Sequence, residues 1–285
     1  MTPKERNQDK GTLYVVGTPI GNLEDISLRA LRILAEVHVI ASEDTRVTTK
    51  LCRRHNIETP LTSFREQNAK VAIPKLLNRL ESGQHVALVT DAGTPSVSDP
   101  GVDLVAAAQK AHILVTPIPG PSALATAISV AGLLGDGIHF VGFLPRSGRR
   151  RKEGIQTIRV DPALTVIYES PRRIGKTLAD LADACDSRQA VLLRELTKLH
   201  EEIARGTISE LRDRFSGEVK GEITLVIEGS KTFAQEELTE DRLREIIRIE
   251  LAKGLSVKDV ANALSRGLGL PRKRIYDLAV TLTVA

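Results

Sequence analysis

The sequence predicts an α/β protein made of two successive α/β units, 11–120 and 121–230, followed by a small three-helix unit over 238–285. Three observations support this. From Thr12 to about residue 120, short β-branched runs alternate with stretches of helical period, with connections long enough for parallel crossovers. Between 121 and 230, strand runs follow one another with fewer helices between them, which suggests a mixed, partly antiparallel sheet. Beyond a polar stretch at 230–237, SKTFAQEE, apolar residues recur at helical spacing.

The first unit opens on the strand LYVV, then a helix from about Ser27 to Glu36 and the strand HVIA. A helix near Lys70 to Leu80, the strand VALVT at 86–90, a helix after Gly101 and the strand ILVTP at 113–117 follow. The Gly, Pro and Ser cluster TPIPGPS then opens a helix of small residues, SALATAISVAG, and marks the boundary between units. The second unit runs HFVGFL, LTVIYES, a helix from about Arg172 to Ala184, AVLLRE, HEEIARG and ITLVIEG. In the tail, Leu243, Ile246, Ile247 and Leu251 form one apolar stripe. Ser256 with Asp259 resembles a capping box, and Pro271 suits the first turn of a last helix carrying Ile275, Leu278 and Leu282.

Composition narrows the function classes. Of 285 residues, 41% are hydrophobic and 27% charged, an ordinary globular balance. Aromatics make up only 3% with no Trp, so the core is expected to be aliphatic and base stacking on many aromatic side chains is disfavoured. The apolar runs are strand-sized, far short of a bilayer span, and the polar opening MTPKERNQDK lacks a secretory signal's apolar centre, so a cytoplasmic protein is expected. Cys52 and Cys185 stand alone, and neither they nor six scattered histidines form a metal-ligand cluster, so no metal is expected. The net charge of +4 is unevenly spread: nine Lys or Arg against six Asp or Glu fall between Thr239 and Ala285, and a second basic focus is PRSGRRRKEG.

Three strand ends carry loops rich in small residues. The first is GTPIGN, Gly17 to Asn22, which is neither a dinucleotide fingerprint nor a Walker loop. The second, DAGTPSVSDPG from Asp91 to Gly101, joins prolines and glycines with hydroxyl and acidic residues, as expected for a prepared pocket wall. The third is PIPGPSA. Ligands of α/β sheets gather at such strand ends.

These loops, with LYVVGTPIGNLEDISLRAL, ASEDTR, FVGFLP, YESPRR, ELTKLHEE and GEITLVIEG, span residues 12 to 229 in a fixed order. In that order the chain resembles the tetrapyrrole-methylase superfamily and, within it, the ribosomal RNA small subunit methyltransferase I family. The resemblance implies two α/β domains of the tetrapyrrole-methylase type with a cleft for S-adenosylmethionine between them. It also implies a homodimer, and 2'-O-methylation of a cytidine in the decoding region of 16S ribosomal RNA, on the RNA or the small subunit. Carried over by position, the cofactor contacts are Pro19, Ile20, Gly93, Thr94, Val97, Ser122, Ala123, Tyr168, Glu222 and Thr224. Related sequences have Gly-Asp-Pro where this chain has Gly93-Thr94-Pro95, so Asp91 is a candidate substitute for the missing acid.

Methyl transfer to a ribose hydroxyl needs in-line positioning and gains from a base near the hydroxyl. The catalytic candidates are Glu43, Asp44 and Lys198, the last beside Glu195 in RELTK. For RNA, Arg46 is a candidate phosphate contact, as are Arg172 and Arg173 at a helix start, the cluster Arg149, Arg150 and Arg151 in an expected flexible loop, and Arg272, Lys273 and Arg274 in the tail. Each has a plainer reading as a salt bridge, a solvated helical face or a cap on a domain surface. Methylation of a small tetrapyrrole and a non-catalytic ribosome-assembly role stand as alternatives.

Overall fold

The computed structural model describes residues 10–230, 240–252, 254–268 and 271–284. The linker expected at 230–237 therefore lies, apart from Ser230, outside the described residues.

The first sheet has five parallel strands: β1 (Thr12–Val16), β2 (Val39–Ser42), β3 (Leu61–Ser63), β4 (Val86–Val89) and β5 (Leu114–Ile118), in the order β3-β2-β4-β1-β5. Helices α1 (Leu28–Glu36), α2 (Thr45–Arg54), α3 (Ala69–Glu81) and α4 (Val102–Lys110) make the crossovers. Two aliphatic layers cover its faces. Ala30, Ile33 and Leu34 of α1 with Leu51 of α2 pack on one side, and Leu76, Leu80 and Leu104 on the other. Each fully buried Leu or Ile contributes roughly 1.5–3 kcal/mol relative to exposure. Burial on both sides explains why β2 and β4 read as continuous apolar runs rather than alternating ones. Caps fix where helices begin: Ser27 Oγ accepts from the Ala30 N–H at 3.1 Å, and the Asp44 carboxylate accepts from the Arg46 N–H at 2.9 Å.

The second sheet is mixed, as the strand runs predicted. It holds β6 (Ile138–Phe143), β7 (Leu164–Glu169), β8 (Gln189–Arg194), β9 (Glu202–Thr207) and β10 (Ile223–Ile227) in the order β6-β7-β10-β8-β9. Only β6 with β7 is parallel. Helices α6 (Gly148–Val160), α7 (Ile174–Cys185) and α8 (Ile208–Arg214) pack on one face. On the other lies α5 (Ala123–Ala131), whose Ala127 and Ala131 share a cluster with Val166, Val191, Leu193, Val226 and Ile20 of the first unit's loop.

The tail forms α9 (Glu240–Ala252), α10 (Val257–Leu268) and α11 (Arg272–Val284) around Leu243, Ile247, Val260, Ala261, Ile275 and Ala279. Half of the expected capping box is present: Ser256 Oγ accepts from the Asp259 N–H at 3.2 Å and donates to its carboxylate at 2.5 Å. Arg272, Lys273 and Arg274 open α11. Among the described residues no helix is long and apolar enough to cross a membrane.

The structure corrects the sequence reading in five places. The short edge strand β3 and helices α2 and α8 were not anticipated. The helix expected from Arg172 starts at Ile174, with Arg173 as its N-cap residue. Residues 149–152, expected as a flexible loop, are the first turns of α6. Their helix is held from inside by Ile155 and Ile158, an apolar pair that the run of arginines masks in the sequence.

Candidate active site

Strands β4, β1 and β5 lie side by side, so their C-terminal loops converge. The first and second loops are stitched by a two-residue bridge: the Thr18 N–H donates to Gly93 O at 2.9 Å and the Gly93 N–H to Thr18 O at 3.1 Å. Thr18 Oγ1 adds a bond to Thr90 O at 3.1 Å. Gly17 and Gly120 bring the first and third loops into backbone contact, since a Cβ on Gly17 would lie 2.8 Å from Gly120 Cα. In the second loop Ser96 (φ 71°) and Ser98 (φ 63°) adopt left-handed backbone, a strained conformation for residues with a Cβ.

A cavity of about 300 Å³ opens where these loops face the second sheet. Ile20, Gly93, Thr94, Val97, Ser122 and Ala123 line it from the first three loops. Tyr168, Glu222 and Thr224 line it from β7 and the start of β10, joined by Leu193, Leu196 and Phe143. The Tyr168 hydroxyl accepts from the Leu124 N–H at 3.0 Å, linking β7 to the first turn of α5, while Phe140 and Phe143 pack edge-on against its ring. Thr94 Oγ1 donates to Pro121 O at 3.3 Å.

Two residues expected at the cofactor do not line this cavity. Pro19 is buried in the loop, and its neighbour Ile20 supplies the wall. Asp91 turns away because its Oδ1 accepts from the Asp44 N–H at 2.9 Å. It lines a second, polar cavity of about 700 Å³ with Glu43, Asp44, Arg46, Phe64 and Arg65. Ser98 and Asp99 line both cavities. Asp99 was the acid that sequence reasoning passed over; its place in DAGTPSVSDPG was the available signal.

The three catalytic candidates occupy different electrostatic settings. Burial first, and then the charge of Asp91, raise the Glu43 carboxyl above its usual range, partly offset by the Asp91 backbone N–H. Asp44 goes the other way: hydrogen bonds from the Arg46 guanidinium, at 2.5 and 3.0 Å, and from the Arg46 N–H hold it well below that range. Arg65 Nε donates to Glu43 O at 2.8 Å, so both guanidiniums are anchored at the rim. Lys198 is elsewhere. Its Nζ donates to Glu195 Oε1 at 2.8 Å and Glu222 Oε2 at 3.1 Å. Burial opposes its charge, yet these bonds prevail and raise its pKa, so Lys198 is a fixed ammonium and a poor proton acceptor. Its geometry supports positioning of Glu222 at the first cavity rather than the catalytic role expected for it. The loop around it is tight: Glu195 (φ 53°) and Thr197 (φ 66°) are left-handed, and a Cβ on Gly21 would lie 2.4 Å from Lys198 Cγ.

The arginines predicted for RNA also divide. Arg46 is 84% exposed at the rim of the second cavity, and Arg149, Arg150 and Arg172 are exposed. Arg149 forms an i,i+4 pair with Glu153 on the surface of α6. Arg151 is not on that surface. Its side chain is 5% exposed and is bound by Asp180 at 2.7 Å, Thr177 Oγ1 at 3.0 Å and Pro145 O at 3.1 Å, which removes it from any RNA contact. Arg173 is likewise engaged, by the buried Glu169 at 3.2 Å and by Leu144 O. In the tail, Lys273 and Arg274 line a groove of about 860 Å³ with Arg244 and Arg248, two cations that sequence reading did not single out. Arg272 Nε donates to Asn262 Oδ1 at 2.6 Å and borders a neighbouring hollow with Lys258. Among the described residues no group of His, Cys, Asp and Glu could hold a metal ion.

Comparison with known proteins places this arrangement. The family model for Tetrapyrrole (Corrin/Porphyrin) Methylases matches residues 12–212. Solved structures share the fold at low identity. They include a cobalt precorrin-4 methyltransferase (17% identical, TM-score 0.58, covering 76% of this chain and 94% of that one). Another is the uroporphyrin-III C-methyltransferase of Thermus thermophilus complexed with S-adenosyl homocysteine (16%, TM-score 0.56, 76% and 97%). Curated relatives are much nearer. A ribosomal RNA small subunit methyltransferase I of Halalkalibacterium halodurans is 39% identical over 278 residues, 96% of each chain. The Synechocystis protein of the same name is 41% identical over 95% of this chain and 98% of its own. The Thermotoga maritima one is 44% identical over its full length and 78% of this chain. With its loops, two sheets and near-complete coverage by such relatives, the chain belongs to the ribosomal RNA small subunit methyltransferase I family, within the tetrapyrrole methylases.

Proposed function

We propose that this chain uses S-adenosylmethionine to methylate the ribose 2'-hydroxyl of a cytidine in the decoding region of 16S ribosomal RNA. The observation that carries the reading is the meeting of two unlike cavities at Ser98 and Asp99. The first, largely apolar and dotted with hydroxyls, suits an adenosine and an amino-acid tail. The carboxylates of Asp99 and Glu222 on its wall suit a sulfonium cation. The second is polar, has room for a nucleotide and carries Arg46 and Arg65 on its rim, the donors a backbone phosphate needs. When bound, the cofactor supplies an activated methyl group. The protein's part is to hold the hydroxyl in line, exclude water and accept a proton.

The tail unit, 238–285, serves as an RNA-holding appendage to the lobes 11–120 and 121–230. Three cations in the first turn of α11 act against the helix dipole, an arrangement that an anionic partner would relieve. The active form is a homodimer, as the family resemblance implies.

Incubation with methyl-labelled S-adenosylmethionine and either naked 16S RNA, small subunits or a tetrapyrrole precursor tests the substrate. Label in RNA or subunits supports the reading. Label confined to the tetrapyrrole overturns it, and cofactor binding without transfer points to an assembly protein.

A further inference from the structure

The methyl-transfer reading leaves the proton acceptor unnamed, and six carboxylates line the second cavity: Glu43, Asp44, Glu66, Asp91, Asp99 and Asp103. Asp44 is committed to Arg46 and is stabilised as an anion, which makes it a weak base. Asp91 is held by the Asp44 N–H. Glu43 faces only the second cavity and sits beside the Asp91 backbone N–H. Asp99 alone among the six borders both cavities, Glu66 and Asp103 like Glu43 lining only the second, and it stands on a loop whose Ser96 and Ser98 hold strained backbone. Among the described residues nothing donates a hydrogen bond or ion pair to its carboxylate. The charges that act on it are those of Glu43 from the end of β2, Asp91 from its own loop, and Glu222 from ahead of β10, with the Tyr168 phenol of β7 nearby. The neighbouring cations are engaged elsewhere, Arg46 by Asp44, Arg65 by Glu43 O and Lys198 by Glu195 and Glu222.

We infer that Asp99 is the catalytic base that takes the proton from the attacking ribose hydroxyl. This rests on the methyl-transfer reading above. As the oxygen–methyl bond forms, the sulfur–methyl bond breaks with its electron pair staying on sulfur, and the hydroxyl proton moves to the Asp99 carboxylate. The protonated carboxyl then releases it to water. Burial, and after it the charges of Glu43, Asp91 and Glu222, push the Asp99 carboxyl up to about 6, where a base is strong enough to help and still ionised at neutral pH.

The test combines full-length wild type, D99N and E43Q in single-turnover methylation of unmodified small subunits at saturating cofactor. Wild type should rise with pH through about 6 and level off above 7. D99N should lose about 10²-fold or more and the rising limb with it. E43Q should keep the rising limb and move it to lower pH, because it removes a charge that raises Asp99. Calorimetry with S-adenosylhomocysteine should give D99N an affinity within about threefold of wild type, separating chemistry from binding. Independently of any variant, ¹³C NMR of the cofactor-free wild type should show the Asp99 carboxyl titrating near 6. A D99N rate within about threefold of wild type, loss of the limb in E43Q instead, or an ordinary carboxylate titration of Asp99 would each overturn the inference while leaving the methyl-transfer reading intact. Wild type that places no methyl on small-subunit ribose would overturn both.

Discussion

The backbone N–H of Asp44 donates to Asp91 Oδ1 at 2.9 Å, tying the end of β2 to the start of the loop that follows β4. That bond fixes the floor of the polar cavity, because Glu43 and Asp44 on one side and Ser98 and Asp99 on the other line it. Asp91→Ala removes the acceptor and is expected to cost about 1 kcal/mol of stability. Asp91→Asn keeps an amide oxygen there and should match wild type in urea unfolding. Equal stability of all three proteins would contradict this role.

Asp99 gives stability a definite pH dependence. Its carboxyl titrates at about 6 in the folded chain against an ordinary value of 3.8. The folded state therefore holds the extra proton between those values, and this contribution is complete below pH 3.8 and lost as pH rises through about 6. Asp99→Asn should raise stability at pH 7.5 by on the order of 1–2 kcal/mol, a figure reduced for the carboxyl's partial exposure, and should give no gain at pH 3.5. Thermal melts at the two pH values check the sign. A variant less stable than wild type at pH 7.5 would contradict it.

Neighbouring arginines of α6 should respond oppositely to substitution. Arg151→Ala leaves Asp180 and Thr177 without their guanidinium partner in a largely dry site, and about 3 kcal/mol should be lost. Arg150→Ala should leave stability within about 0.5 kcal/mol and weaken RNA binding instead. Denaturant unfolding and filter binding of both variants, measured in parallel, separate the structural arginine from the exposed one.

The triple change of Arg272, Lys273 and Arg274 to Gln should lower RNA affinity and make it less sensitive to salt. If all three neutralise phosphates, the slope of log affinity against log salt should fall by roughly 2 to 3. Because these residues oppose the dipole of α11, the variant should not be less stable. An unchanged salt slope would assign the tail to another task.

Much of the fold was legible because burial writes itself into local pattern. Val86–Val89 and Ile223–Ile227 are buried throughout; the first reads as an unbroken apolar run and the second as one broken only by Thr224. The α2 helix was missed because it is polar except for Val47, Leu51 and Cys52, and its start is set by the Asp44 cap rather than by periodicity. The edge strand β3, three half-buried residues, is too short to leave a pattern. At the site, small-residue loops were visible as chemistry in waiting, but direction was not. Nothing local says that Arg151 points inward while Arg150 points out, since the difference lies in Asp180, 29 residues away in the chain. The same holds for Asp44 and Asp99. Equal as acids in the sequence, they are set apart by a guanidinium beside one and three carboxylates around the other.

The most direct test of ribose methylation is nucleoside analysis by mass spectrometry of small-subunit RNA after reaction with the purified full-length protein. The account predicts one added methyl on a cytidine sugar, giving 2'-O-methylcytidine and protecting the adjoining phosphodiester from alkaline cleavage. A methyl on a base, or RNA recovered without added mass from enzyme that binds the cofactor, would contradict it.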